Sequence, residues 1–480
     1  MTDTTEANGL PSLTLDIYTM GSLDPVYQAK VKLLNDAFQE IGMGKYQWHL
    51  YMVAGLGWWS PSGLLAGAIF WGIGYDLWGR KWPFNLTILV TAVFAFTAAA
   101  SPNYITPCVC VAGWSFGVGG NLPVGSIVFR EFVPASHQYM LTVLSVFWTL
   151  GDLTASLAAW PLISNFSCPP APAPCPTSSN RGWRYHLLIA GGIMAAMWIF
   201  RFFVFNFQES PKYLMGYRRD EDAVAIVHRV ADINGKNSNL TLTHLKEAEM
   251  LAGESTQNGI QRVTPATAVG KFSKFSAIHV SPPFATWKLA YSTSILTTLW
   301  ALFGLAFPLY YTFQTYYPLT GGAENDSNAV FITYRDLVVA AFLGVPAALM
   351  AGYLVEIAIF GRRGTLAIFT VLTGVFILLS TTICTSNAYA GWILGYSYVA
   401  NIMYGVLYAI TLELFPTKCR GTGSSMVFAV SRVFCTTAPI IALYANMATS
   451  VPRRVSGAIT IATGLVPLLL PIEPRGKAAL

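Results

Sequence analysis

Ten runs of mostly apolar residues recur along the chain, near 84–101, 105–129, 140–163, 185–207, 288–312, 331–355, 365–384, 388–415, 422–447 and 454–472. Each is long enough to cross a hydrocarbon core of about 30 Å as a helix of about 20 residues. One further stretch, residues 47–75, is 29 residues long and carries Pro61 near its middle. It is generous for one span and too short for two spans and a turn. Between 208 and 287 the pattern changes: no apolar run occurs there and 17 charged residues do. Within that segment Ala223, Ile226, Val227 and Val230 share one helical face over 220–235, with Asp220 as a cap and Gly235 as a stop. A second short helix is predicted at 243–251 and a linker at 252–283. Both helices read as amphipathic and surface-lying.

Composition agrees with the pattern. Hydrophobic residues make up 54% of the 480 and charged residues 11%, where soluble proteins have about a quarter charged. A soluble enzyme, a nucleic-acid binder and a single-span receptor are excluded. Arg80 and Lys81, the 208–287 segment, Arg362 and Arg363, Lys418 and Arg420, and Arg475 and Lys477 fall on alternate connections, which places those connections in the cytoplasm. Arg181, Arg184, Arg453 and Arg454 are exceptions. Two glycosylation sequons, at Asn165 and Asn325, then face outward. Cys168 and Cys175 flank a Pro-rich loop and could close a disulfide on that side. No cysteine or histidine spacing suits a metal, and neither a phosphate-binding loop nor a hydrolase motif occurs, so no catalytic residue and no cofactor are expected.

Two connections carry a repeated motif. Gly72-Ile-Gly-Tyr-Asp76-Leu-Trp-Gly79-Arg80-Lys81 combines a glycine that admits a neighbouring helix, a carboxylate at a helix end, and a glycine that turns the chain toward a basic pair able to meet that carboxylate. A degraded copy, Glu356-Ile-Ala-Ile-Phe-Gly361-Arg362-Arg363, has two extra residues between acid and glycine. Two related halves are implied. Further acids and bases stand beside prolines at helix ends: Glu131-Phe-Val-Pro134, Glu209-Ser210-Pro211-Lys212 and Glu413-Leu-Phe-Pro416-Thr-Lys-Cys-Arg420.

These motifs resemble those of the major facilitator superfamily, on its sugar-porter side. Together with GVGGNLPVGSIVFREFVPASHQYMLTVLS and FFVFNFQESPKYLMG they are similar to the fungal members of the synaptic-vesicle-2-related branch. The resemblance implies an all-α membrane protein of two pseudo-symmetric six-helix halves around a central cavity. It implies a cytoplasmic tail at 1–46, transmembrane halves at 47–207 and 288–472, a cytoplasmic loop at 208–287 and a tail at 473–480. It implies secondary transport of a small-molecule solute by a monomer in the lipid bilayer, most naturally the plasma membrane. Compared with such relatives, part of helices one and two is missing between Trp59 and Gly63. Gly125 stands where they usually carry an acid, and Asp152 where they tend to carry Gln.

Ionisable and polar groups inside spans are functional candidates by default. Arg432 reads either as a ligand for an anionic group or as a partner of Asp152 or Glu356. Tyr398, Asn401, Tyr404 and Tyr408 recur on one helix face and, with Asn121 and Asp152, make up the candidate solute pathway; helix packing is the alternative reading for the stripe. Arg335 beside Asp336 reads as an interfacial pair, and Arg201 has no assigned role. Two functions are therefore expected: a gradient-driven transporter, or a truncated, non-transporting binding or sensing protein that keeps the fold.

Overall fold

Apolar segments with no water to satisfy their backbone close their hydrogen bonds within a helix, and each described apolar run does so. The computed structural model describes residues 65–102, 105–167, 180–204, 207–216, 218–253, 284, 286–311, 329–382, 386–415, 420–444 and 450–471, and residues 30, 33, 36, 37 and 40. A first group of helices comprises α1 (Leu65–Trp78), α2 (Lys81–Ala99), α3 (Ile105–Phe132), α4 (Ser145–Phe166) and α5 (Gly182–Ile199), the last continuing as a π-helical turn, Phe200–Val204. Three polar-segment helices follow: α6 (Pro211–Gly216), α7 (Asp220–Asn234) and α8 (Leu242–Gly253). The second group is α9 (Trp287–Tyr311), α10 (Ala329–Leu354), α11 (Gly361–Leu379), α12 (Ser386–Leu414), α13 (Arg420–Tyr444) and α14 (Val451–Thr463).

Among the described residues seven helices are long and apolar enough to cross a bilayer: α2, α4 with the turn before it, α5, α9, α10, α11 and α12. The expected spans at 105–129, 422–447 and 454–472 are helical but fall short of that mark. At 28 residues α3 has the length, yet it carries Gly117, Gly119, Gly120, Asn121 and Arg130. α13 opens Arg-Gly-Thr-Gly-Ser-Ser and holds Arg432, and α14 has only 13 residues. In α3 and α13 the small and polar stretches are buried against protein, Ser424 and Ser126 completely, so they meet helices and not lipid.

The two groups repeat one packing scheme. α1 packs on α3, α2 on α3 and α2 on α5; α10 packs on α12, α11 on α12 and α11 on α14. The groups join through α1 against α13 and through α4 against α10, which are equivalent contacts when the groups are exchanged. α9 has no described counterpart ahead of α1, where the stretch 51–64 lies outside the described residues.

In the polar segment, Ala223, Val227, Val230 and Ala231 of α7 are buried and join the main apolar core through Leu214, Met215 and Phe207. The apolar face therefore closes on protein. The cap position falls to Arg219, which makes no side-chain cap, while Asp220 begins the helix and binds Lys30 at 2.7 Å. Lys30 also binds Glu249 of α8 at 2.8 Å, and Ala37 is buried in the same core, so the amino-terminal stretch is clasped to both helices. Burial alone would lower the Lys30 ammonium, but its two carboxylate partners outweigh it and raise it, and Lys30 in turn lowers Glu249.

Candidate functional site

At the basic end of the helices the two motif copies adopt one geometry. Gly79 turns the chain with φ +90° and Gly361 with φ +54°, a region closed to most side chains. Each turn sends the next residue inward: Arg80 is 2% exposed and Arg362 is not exposed at all. Arg80 meets Glu131 at 3.2 Å and donates to the Tyr75 carbonyl at 3.1 Å. The rings of Tyr75 and Tyr213 cover its guanidinium, each centroid 4.2 Å away. Arg362 meets Glu413 at 2.5 Å, with Glu356 more distant at 3.9 Å. Arg80 thus pairs with Glu131 on α3; its expected partner, and that of Lys81, was Asp76, whose side chain lies outside the described residues. Glu356 is about half exposed and makes only the long contact. Arg363 turns to the backbone of Pro467 and Leu468.

Glu209 sits at the amino terminus of α2 and accepts from the backbone amides of Arg80 and Lys81 at 2.8 and 3.3 Å. A carboxylate there meets both unpaired amides and the positive end of the helix dipole. Between the groups, Arg130 donates to the Glu413 carbonyl; within the second group, Arg420 donates to the Phe415 carbonyl. Gly72 faces Ser425 of α13 so closely that a Cβ would overlap its hydroxyl. Lys212 is buried beside this cluster; burial first, then Arg420 and Arg130, push its ammonium down to about 7 against the opposing pull of Glu131. Lys212 belongs to the Glu209-Ser210-Pro211-Lys212 motif and Arg130 stands beside Glu131, but the sequence reading assigned neither a role in this cluster. Their signal was a base within three residues of each motif acid.

Deeper in the helices a cavity of about 220 Å³ lies between α4, α9, α10 and α12. Asp152, Asn401 and Tyr404 line it, together with Trp148, Phe307, Tyr311 and Tyr396. Asp152 interacts with the Trp148 indole. Tyr408 lies one turn below Tyr404, beneath the cavity, edge-on to Trp148 and Trp300 at 6.0 and 4.9 Å between centroids. Tyr398 packs against the core, and Tyr396 and Ser397 take the lining positions, so the polar stripe is displaced around α12. Trp148 could have been found from its spacing, one helical turn before Asp152.

Two of the expected pathway residues do not line this cavity. Asn121 does not line the cavity: its carbonyl oxygen accepts from Arg201 at 3.1 Å and lies 3.4 Å from the Thr87 hydroxyl, inside the first group. Arg201, fully buried at the π-helical turn, also donates to the Phe84 carbonyl at 2.6 Å and stands over the Phe84 ring. A buried guanidinium requires oxygen acceptors, and Asn121 is one. Arg432 makes no ion pair among the described residues and interacts with the Tyr408 hydroxyl and the Cys435 thiol; its pairing with Asp152 or Glu356 is absent. Arg335 and Asp336 pair at 2.8 Å near the start of α10. Asn165 is exposed at the end of α4, whereas Asn325, Cys168 and Cys175 lie outside the described residues.

The sequence matches the Major Facilitator Superfamily over residues 33–439. It is similar to MFS siderochrome iron transporter 1 of Ceriporiopsis subvermispora, 48% identical over 495 aligned positions that cover 97% of this chain and 94% of that protein. An uncharacterized MFS-type transporter of Schizosaccharomyces pombe is 42% identical over 509 positions, covering 97% and 92%. The fold is similar to that of the proton:xylose symporter XylE bound to 6-bromo-6-deoxy-D-glucose, with a TM-score of 0.60 at 15% identity, covering 95% of this chain and 93% of XylE.

Proposed function

The chain belongs to the Major Facilitator Superfamily and is a multi-pass membrane transporter working by alternating access, not an enzyme; on that premise we propose that its cargo is one small organic solute held in the cavity between α4 and α12. The observation that carries this reading is the position of that cavity. It is walled by α4 of the first group and by α9, α10 and α12 of the second, so rocking one group against the other opens and closes it.

In this reading the basic end is cytoplasmic and closed. Arg130 reaching the Glu413 carbonyl, and Gly72 against Ser425, hold the groups together there. The pairs Arg80–Glu131 and Arg362–Glu413 fix the helix ends that make those contacts, with Lys81, Glu209, Glu356, Arg363 and Arg420 around them. The boundaries at 46, 207, 287 and 472 separate tails, two six-helix halves and the clasped cytoplasmic segment. The protein is a monomer of the plasma membrane on the synaptic-vesicle-2-related side of the family, with sugars on Asn165 and Asn325 and a Cys168–Cys175 bridge on the outer face. A gradient supplies the energy, because the chain has no phosphate-binding loop; the proton is the coupling ion, with Asp152 as its carboxylate in the cavity.

A second reading has its own support. Both fungal alignments run longer than the 480 residues of this chain, over 495 and 509 positions, so those relatives carry segments with no counterpart here. If the loss lies in helices one and two, one wall of the first group is missing and the chain binds without transporting. Counterflow in proteoliposomes separates the readings. Accumulation of a radiolabelled solute, abolished in Gly72→Trp, is expected of the transporter; binding to purified protein without accumulation is the result that overturns transport.

A further inference from the structure

We infer that the cavity is built for a small organic cation, an alkylammonium or quaternary ammonium group on a compact body. This rests on the transport reading and adds its chemistry. Among the described lining residues Asp152 is the one charged group, and no cation pairs with it. Around it stand five rings, those of Trp148, Phe307, Tyr311, Tyr396 and Tyr404.

Ring faces are negative at their centre and attract a cation without requiring the hydrogen bonds that an oxygen-rich solute needs. A carboxylate set among such rings within the membrane-spanning helices gains from a positive partner. Asn401, Ser397, Ser156 and the tyrosine hydroxyls offer neutral polar contacts that can orient a hydroxyl or carbonyl of the ligand. Arg432 would oppose a cation if it lined the space. It does not line the space: it interacts with the Tyr408 hydroxyl and the Cys435 thiol, and its charge reaches Tyr404 at the edge of the cavity. At about 220 Å³ the cavity is small beside ligand sites of roughly 300–1,000 Å³ and suits a compact ligand.

The test uses three probes of one shape: choline, its uncharged carbon isostere 3,3-dimethylbutan-1-ol, and the anion 3,3-dimethylbutanoate. Binding to the purified full-length protein is followed by calorimetry, and flux by counterflow in proteoliposomes. Choline is expected to bind at least about tenfold more tightly than the neutral isostere, with the anion weakest. Asp152→Asn should erase that preference and Asp152→Glu retain it. Tyr404→Ala should weaken choline about fivefold while Tyr404→Phe, which keeps the ring face, leaves it unchanged. Equal or tighter binding of the neutral or anionic probe, or no binding of choline, overturns the cation inference, and does so from the wild-type protein alone. Choline binding without counterflow sinks the transport reading and leaves the cation site standing; counterflow of the neutral or anionic probe does the reverse.

Discussion

The two copies of the glycine-arginine turn differ in spelling and agree in shape. In the first, two residues separate Asp76 from Gly79; in the second, four separate Glu356 from Gly361, and Glu356 is about half exposed. Both glycines still take positive φ, and both arginines still bury against a glutamate one helix away, Glu131 or Glu413. What is held constant is the reach from a helix start to the end of a neighbouring helix. The spacing within the turn is free to drift. The copies also differ in support: two ring faces cover the Arg80 guanidinium, and Arg362 has a second carboxylate, Glu356, at 3.9 Å.

That contrast orders the substitutions. Removing one partner of a buried pair strands the other, at about 3–5 kcal/mol. Glu413→Ala should reach that range in unfolding measured in detergent. Glu131→Ala should cost less, because the Tyr75 and Tyr213 rings and the Tyr75 carbonyl still hold Arg80. Equal costs would mean that ring support contributes nothing. Lys212 gives the next effect and a sign. Its ammonium is held near 7 in the folded chain against 10.5 in the unfolded one. The unfolded chain therefore binds more protons between those values, and stability rises with pH across that window. Lys212→Met should flatten the rise in a series of melting temperatures, and an unchanged slope would remove Lys212 from the cluster.

Smaller effects sharpen the comparison further. Gly79→Ala should cost about 1–3 kcal/mol, because the position has positive φ and the new Cβ would come within 2.6 Å of Glu209. Gly361→Ala meets the same backbone cost of positive φ, about 1 kcal/mol, in the same assay. Glu209→Gln should cost about 0.5–1 kcal/mol through the lost charge at the α2 terminus, more at low salt than at high salt.

Much of this was legible in the chain. The motif turns, the charged middle segment and the face of α7 follow from local spacing, which a helix preserves. Asp152, Asn401 and Tyr404 were legible as cavity residues for the same reason. The partners were not. That Arg80 finds Glu131, or that Asn121 answers Arg201 and leaves the cavity, depends on which helices become neighbours. The stripe on α12 was misplaced by a fraction of a turn because Tyr396 and Tyr398 flank the same face and only packing against α9 and α10 selects one. α3 and α13 read as spans by length, but their polar residues belong to helix contacts.

The central claim is that the buried ion pairs at the basic end, one within each helical group, fix the helix ends whose contacts hold the two groups closed there. Spin labels at Trp82 and Tyr353, both exposed and on opposite groups, report it in a background with the seven cysteines replaced. Electron-spin distance measurement should give one short distribution in the parent protein and add a longer one in Glu413→Ala. An identical single distribution in both would contradict the account.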